Sequence, residues 1–242
     1  MKLSVIIPAY NEEARILPTL QRFGETLASS IPELEVLVGD DGSSDNTAEV
    51  VSAFCLDHHW CRLVSRQSNQ GKGAILRELV AETTGDIVIY SDADMPVDPE
   101  YFPRLFGPIC DGAADLVQVS RWLSDSPTVE HVPTLRVLIS QAFRLATLPI
   151  KPAGLTDTQC GCKALRGELA RDLFSRLVID GFAFDLELLL LAQARDCTIL
   201  ELPLPVRHVI GSSIQPFQDS LTMVRDLVRL QWSTWTGRSE DP

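Results

Sequence analysis

The stretch Gly85–Pro96, GDIVIYSDADMP, decides how the rest of the chain is read. Ile87 to Tyr90 form a short β-branched and aromatic run between Gly85 and Pro96, the pattern of a fully buried strand. Asp92 and Asp94 follow where that strand should end, with only Ala93 between them. Residues i and i+2 of an extended segment point the same way, so the two carboxylates repel unless a cation sits between them. Hard divalent ions such as Mg²⁺ and Mn²⁺ take oxygen ligands, usually one or two carboxylates completed by substrate phosphates. Open α/β sheets bind ligands just beyond the carboxyl ends of their strands. The pattern points to a metal–diphosphate site at Asp92 and Asp94; the alternative is an acidic turn capping the next helix.

Upstream, strands and helices alternate. Leu3 to Ile7 reads as a buried strand ended by Pro8, and Asn11 with the acids after it starts a helix carrying Ile16, Leu17, Leu20, Phe23 and Leu27. Glu35 to Val38 is the next strand, ending in GDDGSSDNT, and Thr47 opens a second helix. Arg62 to Ser65 is a short strand, after which NQGKG, Asn69 to Gly73, opens a third helix. This β-α-β-α-β-α-β order predicts a mostly parallel central sheet with helices on both faces, an α/β fold in one domain.

Composition narrows the function. The 242 residues hold 45% hydrophobic side chains, enough for a sizeable core, and 33 acidic against 21 basic residues give a net charge of −12. That balance argues against a nucleic-acid binder, which needs a basic footprint, and against a purely electrostatic membrane anchor. The opening MKLSVIIPAYNEE lacks a leader pattern, so the six cysteines are expected to be reduced in the cytoplasm. Cys55, His58, His59 and Cys61 do not follow zinc-ligand spacing. No apolar run approaches the ~20 residues of a membrane-spanning helix.

Parallel strands joined by right-handed crossovers bring the loops PAYNEE, DDGSSD and SDADMP to one sheet edge. A nucleotide there needs a base slot, ribose acceptors and neutralised phosphates. Tyr10 offers an aromatic surface, while Glu12, Asp40 and Asp41 offer acceptors. Lys72, between two glycines at a helix start, adds charge to backbone N–H groups that favour an anion.

IIPAYNEE, DDGSSDNT, NQGKG and SDADMP, in this order and spacing, resemble the nucleotide-sugar half of a GT-A glycosyltransferase of family 2. The resemblance implies that Asp92 and Asp94 are the DXD pair holding Mg²⁺ or Mn²⁺ on the donor diphosphate. It also implies that Pro8, Tyr10, Glu12, Asp40 and Asp41 line the nucleoside pocket.

In the second half, Asp115 to Val119 is a further strand, followed by Ser120 and Arg121. Arg136 and Ser140, four apart on an expected helix, share a face; with Arg121 they could grip an anionic group beside the metal, the alternatives being a surface charge for Arg121 and a helix-face arginine with a buried stem for Arg136. Gln159 is a sugar contact or extra ligand, and Lys163 a phosphate partner. Asp185 stands near the start of a helix, as a base for a hydroxyl acceptor or as an N-cap. The segments DTQCG, FAFDLELL and IGSSIQPFQDSLTMVRDLVRL resemble the polyprenyl-phosphate sugar transferases, in particular the dolichyl-phosphate β-glucosyltransferase branch. That likeness favours UDP-glucose over GDP-mannose as donor and implies polyprenyl phosphate as acceptor, with phosphate-holding roles for Arg121, Arg136 and Ser140; the alternatives are a GDP-mannose-dependent polyprenyl-phosphate mannosyltransferase and a soluble family 2 transferase with a hydroxyl acceptor. The family's GSR stands here as VSR, Val119 to Arg121, and the basic residue of its GSK as Ser213.

Residues 1–218 are expected to form the transferase domain and 219–242 a C-terminal amphipathic helix and tail. Leu221, Val224, Val228, Trp232 and Trp235 fall near one helical face, with Arg225 and Arg229 beside it. Such a helix suits the cytoplasmic face of a membrane; a helix packed on protein has the same pattern.

Overall fold

A computed structural model describes residues 1–123, 125, 145, 147–207, 225, 226 and 230. The chain runs β1 (Leu3–Ala9), α1 (Glu13–Phe23), β2 (Leu34–Asp40), α2 (Thr47–Asp57), β3 (Cys61–Ser65), α3 (Lys72–Ala81) and β4 (Ile87–Ser91). It continues with α4 (Phe102–Cys110), β5 (Leu116–Val119), β6 (Cys162–Arg166), α5 (Gly167–Ser175), α6 (Phe184–Gln193) and β7 (Ile199–Leu202). Asp98 caps a short turn of 3₁₀ helix before α4 by accepting from the Glu100 N–H at 3.1 Å.

One seven-stranded sheet results, in the order β3-β2-β1-β4-β6-β5-β7. The pairs β3–β2, β2–β1, β1–β4 and β5–β7 are parallel, whereas β6 runs antiparallel to both its neighbours. The sheet is therefore mostly parallel, as the alternating elements predict. The sequence reading missed β6, because its strand carries Lys163 at the centre. That side chain is fully buried, and a lysine in a short run reads as surface.

Strands covered on both faces are apolar at nearly every position, and the alternation of side chains sorts them into two cores. Val5, Ile7, Val36, Val38, Ile87 and Ile89 pack on one face with Ile16 and Leu20 of α1, Val51 of α2 and Phe102 of α4. Ile6, Leu37, Val88 and Tyr90 face the opposite way, against Ile75 and Leu79 of α3, Leu173 of α5 and Leu186 of α6. Both cores hold β1 and β4 rigidly side by side. Strand order reverses between these two, since β1 connects outward to β2 and β3 while β4 begins the other half. A crevice outside the carboxyl ends at such a reversal is where open α/β sheets bind ligands.

The expected C-terminal helix lies outside the described residues apart from Arg225, Asp226 and Leu230. Of these, Leu230 is buried in the second core. Among the described residues no helix is long and apolar enough to cross a membrane.

Candidate functional site

Three loops leave the carboxyl ends of β1, β2 and β4, and hydrogen bonds stitch the first two together. Asn11, after β1, adopts φ 55°, a left-handed conformation that asparagine tolerates. Its N–H donates to Ser43 Oγ at 2.9 Å, and its side-chain oxygen accepts from the Ser44 N–H at 2.9 Å. Glu12 N–H donates to Thr47 Oγ1 at 2.8 Å. Tyr10 is half-buried beside these contacts, and Pro8 is buried within β1. The Glu12 carboxylate receives both Nε and Nη2 of Arg15, each at 2.6 Å.

Asp40 and Asp41 are both 2% exposed. Asp40 accepts from the Ser43 N–H at 3.2 Å and the Ser65 hydroxyl at 3.0 Å, tying β2 to β3. Asp41 accepts from the Gly71 N–H at 2.7 Å, the Gln70 N–H at 3.1 Å and Arg66 Nη1 at 3.3 Å. The N–H groups of Gly73 and Ala74 donate to the Asp180 carbonyl at 2.7 and 3.2 Å. The N–H groups of Gln70, Gly71, Gly73 and Ala74 at the start of α3 are thus already occupied, which corrects the expectation that they form an open anion cradle. The anion at this helix start is Asp41 itself, and the Lys72 side chain reaches across to Asp92. Gly71 has φ 109°, and a Cβ there would collide with the Asp180 carbonyl, so this approach of α3 to residue 180 requires glycine.

Lys72 carries the contact from the start of α3 to the third loop. Its Nζ lies 2.6 Å from Asp92 Oδ1 and 5.7 Å from the centroid of the Phe184 ring. Burial works to lower the ammonium's pKa, but Asp92, Asp185 and Asp94 outweigh it and hold it above its ordinary value. The ammonium therefore stays charged at neutral pH.

The DXD loop is fixed through its backbone. Asp92 N–H donates to the Gly161 carbonyl at 3.0 Å, and the Met95 N–H donates to the Asp92 carbonyl at 2.9 Å. Thr19 Oγ1 of α1 donates to the Ala93 carbonyl at 2.7 Å. Met95 adopts φ 50°, closing the turn after Asp94. Gly161 lies directly against the Asp92 side chain, so a Cβ there would sit 2.5 Å from Asp92 Cγ. Behind the loop Asp98 receives Arg22 Nη2 at 2.9 Å and lies 3.5 Å from Arg207 Nη2, while the Arg207 N–H donates to the Pro96 carbonyl at 2.7 Å.

The structure therefore brings Tyr10, Glu12, Asp40, Asp41, Lys72, Asp92 and Asp94 to one edge of the sheet. The metal expectation can be tested on the donor set. Apart from the Lys72 ammonium, Asp92 Oδ1 is a buried oxygen with no hydrogen-bond partner among the described residues, and Asp94 follows on the same half-exposed turn. No group of three metal-binding side chains occurs among the described residues. Two carboxylates without a closed protein cage fit an ion that completes its shell from a bound phosphate and water.

The second half differs more from expectation. Arg121 does not project as an unpaired anion grip: its Nε and Nη2 bond Asp157 Oδ2 and Oδ1 at 2.7 and 2.9 Å. Burial would raise the Asp157 pKa, but Arg121 outweighs it and holds the carboxyl below its usual range. Glu201 of β7 locks the same loop by accepting from the N–H groups of Thr156 and Asp157 at 2.7 and 3.0 Å. Gln159, half-buried, donates through its N–H to Asp157 Oδ1 at 3.0 Å. Asp157 and Glu201 were not foreseen, since nothing in the sequence links partners so far apart.

Lys163, expected to meet a phosphate, is fully buried: Nζ bonds Asp185 Oδ1 at 2.6 Å and the Cys160 carbonyl at 2.9 Å. The Tyr90 hydroxyl donates to the same Asp185 oxygen. Lys163 is thus a structural cation. Asp185 lies in the first turn of α6 rather than at its cap, which is Ala183. The expected partners Arg136 and Ser140, and Ser213, lie outside the described residues.

Comparison with known proteins agrees with this geometry. The family model described as Glycosyl transferase family 2 matches residues 4–174. A dolichyl-phosphate beta-glucosyltransferase of Trichomonas vaginalis is 32% identical over 235 residues, covering 93% of this chain and 69% of the relative. The protein of that name from Dictyostelium discoideum is 30% identical, covering 97% and 75%. Among solved structures, glucosyl-3-phosphoglycerate synthase from Mycobacterium tuberculosis, in complex with Mn²⁺, UDP and glucosyl-3-phosphoglycerate, is 26% identical with a TM-score of 0.62, over 96% of this chain and 79% of that one. Mannosyl-3-phosphoglycerate synthase from Rubrobacter xylanophilus shares the fold at 19% identity and a TM-score of 0.71, over 100% and 76%. A family model spanning more than half the chain, a matching sheet architecture and a strand-end acidic pair lead to one conclusion: the chain belongs to glycosyl transferase family 2 and is a glycosyltransferase.

Proposed function

We propose that the protein moves glucose from UDP-glucose to a polyprenyl phosphate of the dolichyl type, with inversion at the anomeric carbon. The observation that carries this reading is the pair Asp92 and Asp94 at the strand-order reversal, with Lys72 on Asp92 Oδ1 at 2.6 Å. The relatives' names supply the acceptor and the sugar. The mycobacterial neighbour's complexes supply Mn²⁺ and UDP-glucose as the matching donor chemistry.

Asp92 and Asp94 would hold Mg²⁺ or Mn²⁺, whose chemistry when bound is Lewis-acid stabilisation of the departing diphosphate. The chain's own residues do the rest. Tyr10 presents a ring for the base, and the buried Asp40 and Asp41 keep the loops that frame it in register. Lys72 supplies a positive charge within reach of the diphosphate. Arg121, oriented by Asp157, directs its remaining N–H groups to an anion on the acceptor side, with Gln159 beside it. Arg136 and Ser140 are proposed to add to that grip.

A lipid monophosphate has its second pKa near about 6, like a phosphoserine. It is largely dianionic at neutral pH and attacks without a general base. Catalysis then rests on positioning and charge stabilisation, and direct displacement turns an α-linked donor into a β-linked product. Asp185, held by Lys163 and Tyr90, is not needed as a base on this route. A lipid acceptor places the protein at the cytoplasmic face of a membrane, with residues 219–242 as the proposed contact.

The test is a transfer assay with labelled UDP-glucose and dolichyl phosphate, with and without Mn²⁺ or Mg²⁺. Metal-dependent, lipid-soluble product is expected, and Asp94→Ala should abolish it in a folded protein. Preference for GDP-mannose, or equal transfer to a small hydroxyl acceptor in the absence of lipid, would overturn the assignment.

A further inference from the structure

Lys72 and a divalent ion have the same partner. We propose that Lys72 is an exchangeable counter-ion: it neutralises Asp92 in the metal-free protein and turns to the donor diphosphate when the ion takes Asp92, so that metal and nucleotide bind cooperatively. The proposal rests on the reading of Asp92 and Asp94 as metal ligands.

Three observations carry it. The first is competition. Lys72 Nζ lies 2.6 Å from Asp92 Oδ1, a buried oxygen with no other hydrogen-bond partner among the described residues. The ammonium is what balances that charge, and two cations cannot both sit on this oxygen without repelling each other.

The second is a fixed backbone. Asp41 holds the Gly71 N–H at 2.7 Å, and the Asp180 carbonyl holds the Gly73 N–H at 2.7 Å. The main chain on either side of Lys72 is pinned, so an exchange is confined to its four-carbon side chain, which has the rotatable bonds for it.

The third is the scarcity of other resting places. The Lys72 side chain is only 14% exposed and lies against the Phe184 ring. Displaced from Asp92, it would have as nearby acids only Asp94, which the ion would share, and Asp185, already paired with Lys163 at 2.6 Å, so a partly buried charge would lack a full partner, which is costly. A diphosphate gives the displaced ammonium a new partner beside the metal. Metal alone should therefore bind weakly, and nucleotide should strengthen it. By linkage the metal strengthens the nucleotide by the same factor.

The experiment measures free Mn²⁺ by its electron paramagnetic resonance signal, in titrations of the wild-type protein and Lys72→Met, with and without UDP. Wild type should bind Mn²⁺ weakly alone and tighter with UDP, by on the order of tenfold to a hundredfold. Lys72→Met should bind Mn²⁺ alone about tenfold tighter than wild type, and UDP should strengthen it by a smaller factor. Lys72→Gln, which keeps a polar tip without the charge, should repeat this pattern. If neither variant binds Mn²⁺ alone more tightly than wild type, or if UDP strengthens all three equally, the exchange is refuted while the metal site stands. If wild type retains no Mn²⁺ even with UDP, both the exchange and the metal reading fall.

Discussion

Replacing Lys163 by Met should damage the protein more than replacing Lys163 and Asp185 together. Lys163 is fully buried on β6 and its ammonium lies 2.6 Å from Asp185 Oδ1, whose side chain is 4% exposed. Lys163→Met fills the space with apolar atoms but strands a carboxylate in the core between α6 and β4. Breaking a buried pair on one side costs about 3–5 kcal/mol. Asp185 keeps the Tyr90 hydroxyl and lies near enough to Lys72 to act on its titration, so the lower end, about 3 kcal/mol, applies. In a domain of this size that lowers the melting temperature by roughly 6–12 °C. Adding Asp185→Asn removes the stranded charge while preserving shape and the Tyr90 contact. The double variant should recover to within about 1 kcal/mol of wild type, as replacements of whole buried pairs often do. Urea unfolding of wild type, both single variants and the double variant gives the cycle, with an unchanged slope marking a genuine change in stability. A loss under about 1 kcal/mol for Lys163→Met, or a double variant no better than that single one, would refute the buried-charge argument.

Three further outcomes follow from the same contacts. Gly161→Ala should push the Asp92 carboxylate aside, because the added Cβ meets only the end of that side chain; Mn²⁺ affinity measured with UDP should fall at least about tenfold while the melting temperature moves little. Thr19→Val should lose the bond to the Ala93 carbonyl, costing about 1 kcal/mol and weakening Mn²⁺ binding, with Thr19→Ser restoring both in paired calorimetric and thermal scans. Acid should destabilise the protein through Asp157 and Asp98. Burial would raise both pKa values, but Arg121 lowers the first, and Arg22 with the Glu100 N–H lowers the second. A folded pKa below the unfolded value near about 4 means the contribution is full above that pH and is lost as pH falls further. Melting temperatures should hold from neutral pH to about 5 and drop below about 4, less steeply in Asp157→Asn.

The first half of the fold was legible because parallel strands are written twice, as apolar runs and as polar loops at their ends. The loop after β4 showed its two acids for the same reason: a strand end leaves little choice for where they stand. The second half showed β5 but hid its other two strands. Buried Lys163 disguised β6, and β7 carries Glu201, whose carboxylate serves the Thr156–Asp157 loop. Arg121 was visible as a charge, but its grip by Asp157, 36 residues away, is a tertiary fact that no local pattern encodes. The Gly71–Gly73 turn was read correctly as a helix start and wrongly as an open anion site, because the groups that fill it, Asp41 and the Asp180 carbonyl, come from other parts of the chain.

The central claim is that two acids at the end of β4 and the loops beside them hold a sugar nucleotide through a divalent ion. Calorimetric titration of UDP-glucose into the protein, with Mn²⁺ and after its removal by chelation, tests it most directly. The account predicts binding that depends on the ion in wild type and is lost in Asp94→Ala at unchanged melting temperature. Equal binding with and without the ion, or undiminished ion-dependent binding in Asp94→Ala, would contradict it.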